Sequence, residues 1–145
     1  ISGSSQGVDK LSELLASSGA KKVVPLPVSV AAHSILMHEQ SETYKQYVNS
    51  VNFLKPNVPI VNNVDVKIQD TDARIKDALI RQMYSPVRWV ETIEFIEQQG
   101  VDLLLELGPG KVLTSFNKRI DNSIKSLSVS DCNSLEMALE TLSSI

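Results

Sequence analysis

Val101-Asp102-Leu103-Leu104-Leu105-Glu106-Leu107-Gly108-Pro109-Gly110-Lys111-Val112-Leu113 decides the fold class. Residues 101–107 form a nearly continuous apolar run, the pattern of a strand covered on both faces. Gly108-Pro109-Gly110 forces a turn. Val112, Leu113, Phe116 and Ile120 then recur at helical spacing, and Ile124 to Val129 reads as another short strand. Strand, turn, helix and strand in succession predict an α/β architecture. Asp131 is placed to cap a final helix carrying Leu135, Leu139 and Leu142.

The same alternation extends toward the N-terminus. Ser85-Pro86 predicts a helix start, with Ser as N-cap and Pro in the first helical position. That helix carries Trp89, Ile93 and Ile96 and stops at Gly100. Asp70 or Thr71 can cap a preceding helix with Ile75, Leu79, Ile80 and Met83. Val58 to Val66 is rich in β-formers and broken by Asn62-Asn63, after a turn at Lys55-Pro56-Asn57. Residues 34–51 predict a long helix with Ile35, Met37, Tyr44, Tyr47 and Val48 in its apolar set. Lys22 to Val30 reads as a strand, but Pro25 and Pro27 keep part of it out of any central hydrogen-bonded position. Residues 7–18 predict a helix on Val8, Leu11 and Leu15, stopped by Gly19. There is no internal repeat and no low-complexity segment.

The bulk properties bound the function. The chain has 145 residues, 42% apolar and 21% charged, as in a globular domain of ordinary size. A net charge of −3 gives no electrostatic reason to expect nucleic acid as a partner. No apolar run approaches the roughly 18–20 residues that span a bilayer, and no secretory signal is visible. Cys132 is the single cysteine, so an internal disulfide and a cysteine-rich metal site are excluded, and a reducing compartment is expected. The first residue is Ile1, and Ile1-Ser2-Gly3 reads like a strand end entering a turn. A piece of a longer chain is therefore expected.

Several places can carry chemistry. His33 sits where the apolar pattern of Val28-Ser29-Val30-Ala31-Ala32 gives way to a helix pattern. Histidine titrates near neutral pH, so His33 is a candidate general base, with a capping or packing role as the alternative. His38 lies in a polar stretch of helix and reads as solvated. Gly3-Ser4-Ser5-Gln6-Gly7 matches the nucleophile-elbow pattern G-x-S-x-G, but no buried strand precedes it, so a serine-rich turn capping the next helix is the better account. Glu106-Leu107-Gly108-Pro109-Gly110-Lys111 runs from a buried strand into a helix. Its glycines could let a backbone approach a phosphate, but a tight strand–helix turn is the better account. Arg81-Gln82-Met83-Tyr84-Ser85-Pro86-Val87-Arg88-Trp89 joins two helices. Its irregular backbone leaves carbonyls free to hold an imidazole in one tautomer. Arg81 and Arg88 are candidates for anionic ligands or for solvated helix faces.

Four segments together resemble the malonyl-CoA:acyl carrier protein transacylases. They are residues 28–37 around His33, Pro59-Ile60-Val61-Asn62-Asn63-Val64-Asp65-Val66, residues 80–89 around Gln82, and Glu106 to Thr114. They occur in the family's order and at about its spacing. The resemblance implies a large α/β-hydrolase-like subdomain with an inserted ferredoxin-like small subdomain. Residues 1–31 would end the small subdomain, and residues 32–145 would form the C-terminal part of the large one. It implies malonyl transfer from coenzyme A to the phosphopantetheine thiol of acyl carrier protein through an acyl-serine intermediate, in fatty acid biosynthesis. His33 would be the general base and the main-chain carbonyl of Gln82 would orient it. No bound cofactor and no metal are implied, and the expected location is cytoplasmic.

The departures from the family are equally informative. The Gly-His-Ser-Leu-Gly elbow, the oxyanion glutamine turn and the arginine that holds the malonyl carboxylate do not occur here. The resemblance places all three upstream of Ile1, so the chain looks like the C-terminal half of such an enzyme. Its expected partners are the N-terminal half, malonyl-CoA and acyl carrier protein, with no nucleic acid and no membrane. Alone, it is expected to be inactive. Ala31 and Ala32 stand where the family often has Pro and Ser, which leaves acyl selectivity open. Lys111, Lys118 and Arg119 are candidate contacts for an acidic carrier protein. A polyketide synthase acyltransferase domain is the neighbouring enzyme reading. It is less expected because the chain stops soon after its last helix. A non-catalytic module binding carrier protein or a partner chain is the reading from another class.

Overall fold

The computed structural model describes residues 1–144. Helix α1 spans Ser5–Ser17. The Ser4 side chain accepts a hydrogen bond from the Gly7 N–H at 3.2 Å, so the elbow-like pattern is a helix cap. At the other end Gly19 takes φ 91°. The N–H groups of Gly19 and Ala20 reach back to the carbonyls of Ala16 and Leu15, which closes the helix in a Schellman motif.

The strand expected over Lys22 to Val30 does not form. The segment pairs with no strand among the described residues, and Val24, Leu26, Val28 and Val30 are all exposed. Pro25 and Pro27 have no N–H to donate to a ladder. The Val28 N–H instead closes a tight turn on the Leu26 carbonyl at 2.8 Å, which bends the chain at Pro27.

The expected long helix begins as a 3-10 turn at Ile35–Met37 and continues as α2, His38–Ser50. Ser41 and Val48 are buried and Tyr44 half-buried, one face at spacings of three and four. That face packs on α3, Asp72–Gln82, whose Ala78 is 3% exposed. Between these helices lies a minimal antiparallel hairpin, β1 at Val61–Asn62 and β2 at Lys67–Ile68. The β-rich stretch shrinks to this because the Asn62 side chain competes with the ladder. Its amide oxygen accepts from the N–H groups of Val64 and Asp65, and its amide nitrogen donates to the Lys67 carbonyl. Thr71 precedes α3 without a side-chain cap. The Asp72 carboxylate accepts instead from the Phe53 N–H at 2.9 Å.

These elements make up one unit, Ile1–Arg88, and Trp89 opens a second. Helix α4 spans Trp89–Gln98, so it starts later than Ser85-Pro86 predicts. The Arg88 N–H, which a Ser85 cap would satisfy, donates to the Asn63 carbonyl at 3.2 Å instead. Strand β3, Leu103–Leu107, pairs in parallel with β4, Lys125–Val129, through the intervening helix α5, Val112–Ile120. Asp131 caps the last helix, α6 at Cys132–Ser143, in a capping box with Ser134.

Two expectations for this unit are corrected. Among the described residues β3 has one sheet neighbour, and Leu107 is 76% exposed, so it is not covered on both faces. The leucine-rich faces of α5 and α6 are also not the buried ones. Thr114 and Asn117 are buried on α5 and Ala138 on α6, while Phe116, Leu135, Leu139 and Leu142 are exposed. Polar partners explain α5: Thr114 bonds to Glu106, and Asn117 accepts the Trp89 indole N–H at 3.0 Å.

Candidate active site

His33 is held by the C-terminal end of α3. Its Nδ1 lies 2.9 Å from the Gln82 carbonyl oxygen, and its backbone N–H donates to the Met83 carbonyl at 2.9 Å. A carbonyl oxygen only accepts, so Nδ1 carries the proton, and in the uncharged form of the ring the lone pair lies on Nε2. His33 is exposed, and it lines a hollow of about 350 Å³ with Ala32, Met37, Tyr44, Leu79, Gln82 and Met83.

Helix geometry explains why these carbonyls are available. The last carbonyls of a helix have no intrahelical donor. Here the Ile80 and Arg81 carbonyls are taken by the N–H groups of Met83, Tyr84 and Ser85 as the chain tightens after the helix. The Gln82 and Met83 carbonyls face His33. The negative end of the α3 dipole therefore points at the imidazole.

The backbone of His33 is itself unusual. It adopts φ 60°, a region few non-glycine residues enter, at a cost of about 1–3 kcal/mol. Neighbouring contacts hold it there. The Ser34 hydroxyl donates to the Ala31 carbonyl and the Ser2 hydroxyl to the Ala32 carbonyl, each at 2.7 Å. Strained backbone that its surroundings fix in place is common at sites of chemistry. His38, read as solvated, is exposed, and its ring lies 4.8 Å from that of Tyr84 at a tilt of 57°.

The structure thus brings His33 and Gln82 together across 49 positions of sequence. It gives Arg81 a different role from the anion site considered above. The Arg81 guanidinium forks onto both carboxylate oxygens of Asp65, at 2.9 and 2.7 Å, and its Nε donates to Asp77 at 2.8 Å. These bonds hold the Asp65 carboxyl below the usual carboxylate range, chiefly through Arg81. Sequence reasoning missed Asp65: it stands 16 positions from Arg81, and no helical or strand spacing connects them.

The Gly108-Pro109-Gly110 turn is also occupied from within. The Glu106 carboxylate accepts from the Thr114 hydroxyl and N–H, each at 2.7 Å, and from the Leu113 N–H at 3.1 Å. It fills the donor cradle at the start of α5 that an incoming phosphate would use. The Thr114 hydroxyl, with the backbone N–H groups of Thr114, Leu113 and Val112, holds the Glu106 carboxyl below its ordinary 4.5. A lowered folded value means that this stabilisation is complete above the unfolded value and is lost as pH falls through the folded one. Glu106→Gln is therefore expected to melt below the parent at neutral pH, with the gap closing as pH drops below 4.5. Thermal melts across pH check this, and equal melting temperatures at neutral pH would contradict it.

Among the described residues no helix is long and apolar enough to cross a membrane, and no group of three or more His, Cys, Asp or Glu could hold a metal ion.

No family model matches the chain. Individual proteins do. The malonyl CoA-acyl carrier protein transacylase of Salmonella typhimurium is 42% identical over 139 residues, covering 96% of this chain and 45% of the relative. The protein of that name from Bacillus subtilis is 39% identical over 142 residues, 98% of this chain and 45% of its own length. A solved type II PKS acyl-carrier protein in complex with its malonyl-transacylase superposes with a TM-score of 0.93 at 45% identity, over 96% of this chain and 45% of that one. The chain thus matches malonyl CoA-acyl carrier protein transacylases in sequence and in fold along nearly its whole length, and it spans about 45% of the length of these curated relatives.

Proposed function

We propose that this chain is the C-terminal part of a malonyl-CoA:acyl carrier protein transacylase and supplies its general base. The observation that carries the proposal is the pairing of His33 Nδ1 with the Gln82 carbonyl, which leaves Nε2 as a proton acceptor. Residues 1–31 would end the ferredoxin-like small subdomain, and residues 32–145 would belong to the α/β-hydrolase-like large one. The nucleophilic serine, the oxyanion donors and the malonate-binding arginine would come from the N-terminal half, in a cytoplasmic enzyme without a bound cofactor.

The chemistry follows from one ring nitrogen used twice. Nε2 takes the proton of the serine hydroxyl as its oxygen attacks the thioester carbonyl. The imidazolium returns that proton to the departing coenzyme A thiol. The carrier thiol then gives its proton to the same nitrogen and attacks the acyl-serine. Its adduct collapses and releases the serine, which is reprotonated. Gln82 does for the ring what a carboxylate does in a full triad: it fixes the tautomer and orientation. A carbonyl dipole stabilises the imidazolium less than a full charge would.

Labelled malonyl-CoA and holo-acyl carrier protein test the reading with the full-length protein. Label is expected first on a serine and then on the carrier thiol. Failure to label either would overturn it. Because one matching solved structure is a type II PKS acyl-carrier protein in complex with its malonyl-transacylase, both a fatty acid carrier and a polyketide carrier belong in the assay. Faster transfer to the former supports fatty acid synthesis, and faster transfer to the latter supports the polyketide alternative.

A further inference from the structure

We propose that the Asp65–Arg81 ion pair positions the base: it anchors the end of α3 so that the Gln82 carbonyl stays on His33 Nδ1. The inference rests on the reading of His33 as the general base. Arg81 directly precedes Gln82, so the side chain that is clamped and the carbonyl that orients the ring leave adjacent residues of one helical turn.

The clamp has an anchor on its other side. Asp65 lies in the β1–β2 turn, whose shape is set by the Asn62 side chain and by Val66 at φ 55°. The same turn grips the chain beyond Gln82, where the Arg88 N–H donates to the Asn63 carbonyl at 3.2 Å and the Arg88 guanidinium to the Val64 carbonyl at 3.4 Å. One turn therefore brackets residues 81–88 at both ends, and the two carbonyls that hold His33 lie between.

The strength of the pair argues for geometry over stability. The Arg81 and Asp65 side chains are 30% and 26% exposed, and pairs that reach solvent add little to folding. What a two-pronged arginine–carboxylate contact does supply is direction. Lysine, a point charge on a flexible stem, cannot grip both Asp65 oxygens and Asp77 together. Asp65 and Arg81 are thus positioning residues that never touch substrate.

Asp65→Asn, Arg81→Lys and Asp65→Glu in the full-length protein test the proposal. For Asp65→Asn and Arg81→Lys, kcat for serine acylation should fall roughly tenfold, the scale of a small misplacement at a reacting centre, with KM for malonyl-CoA nearly unchanged. The ¹⁵N spectrum of His33 should lose its single Nδ1–H tautomer. Asp65→Glu, which keeps both oxygens, should recover most of the rate. Arg81→Lys gives the same reading should Asp65→Asn fail to fold. Normal acylation and a normal imidazole spectrum in Asp65→Asn, beside a dead His33→Ala, would overturn the positioning role alone. Losses in kcat and KM that merely follow melting temperature would overturn it too. Normal acylation in His33→Ala would overturn the reading beneath it.

Discussion

Replacing His33 with alanine in the full-length protein is expected to slow acylation of the serine by about 100- to 10,000-fold, the usual contribution of a positioned general base. Without Nε2 the proposed base is gone, and water would have to take the hydroxyl proton. Malonyl-CoA affinity should change little, because the ring's other contact is to a backbone carbonyl. The position is strained at φ 60°, so alanine also alters backbone preference. His33→Asn separates the two effects. Asparagine tolerates positive φ and can donate from its amide toward Gln82, yet it offers no base. It should melt closer to the parent than alanine does and acylate just as slowly. Rapid-quench measurement of the acyl-enzyme burst reads this directly, and a parental burst in either variant would remove His33 from the reaction.

The legibility of the site divides along a physical line. Position alone left His33 open between a base and a cap, and the free carbonyls after an interrupted helix did not say which would meet an imidazole. The resemblance, not the local pattern, singled out His33 and Gln82. Asp65 and Glu106 were not readable as partners. Their bonds join residues that only the folded chain brings together, and single carboxylates in polar turns look alike in sequence. The helices themselves follow from apolar periodicity and caps, as Asp131 and Gly19 show. Strands fared worse where local chemistry outweighed propensity. Prolines bent residues 22–30, and the Asn62 side chain cut the β1–β2 ladder short. The faces of α5 and α6 mark a different failure. Periodicity identifies an apolar stripe but not what covers it, and here small and polar residues face the unit that surrounds them.

Those uncovered stripes predict how the 145-residue chain behaves alone. Leu135, Leu139 and Leu142 are 47%, 53% and 46% exposed on α6, and Leu11, Leu14 and Leu15 line α1 in the same state. Burying one leucine fully contributes about 2 kcal/mol, so the open half of the three on α6 is about 3 kcal/mol of unused burial. That is a large fraction of the 5–15 kcal/mol by which whole domains are stable. Strand β3 adds to the deficit, because a two-stranded sheet is marginal by itself and among the described residues no strand pairs with its second edge. The isolated chain should therefore unfold over a broad thermal range and bind a hydrophobic dye in its folded state. Joining it to the N-terminal portion found in its relatives should sharpen the transition and abolish dye binding, as the leucines and the strand edge find their partners. Calorimetry with dye titration on both forms measures the difference. A sharp, concentration-independent transition of a dye-free monomer would mean that these faces need no cover.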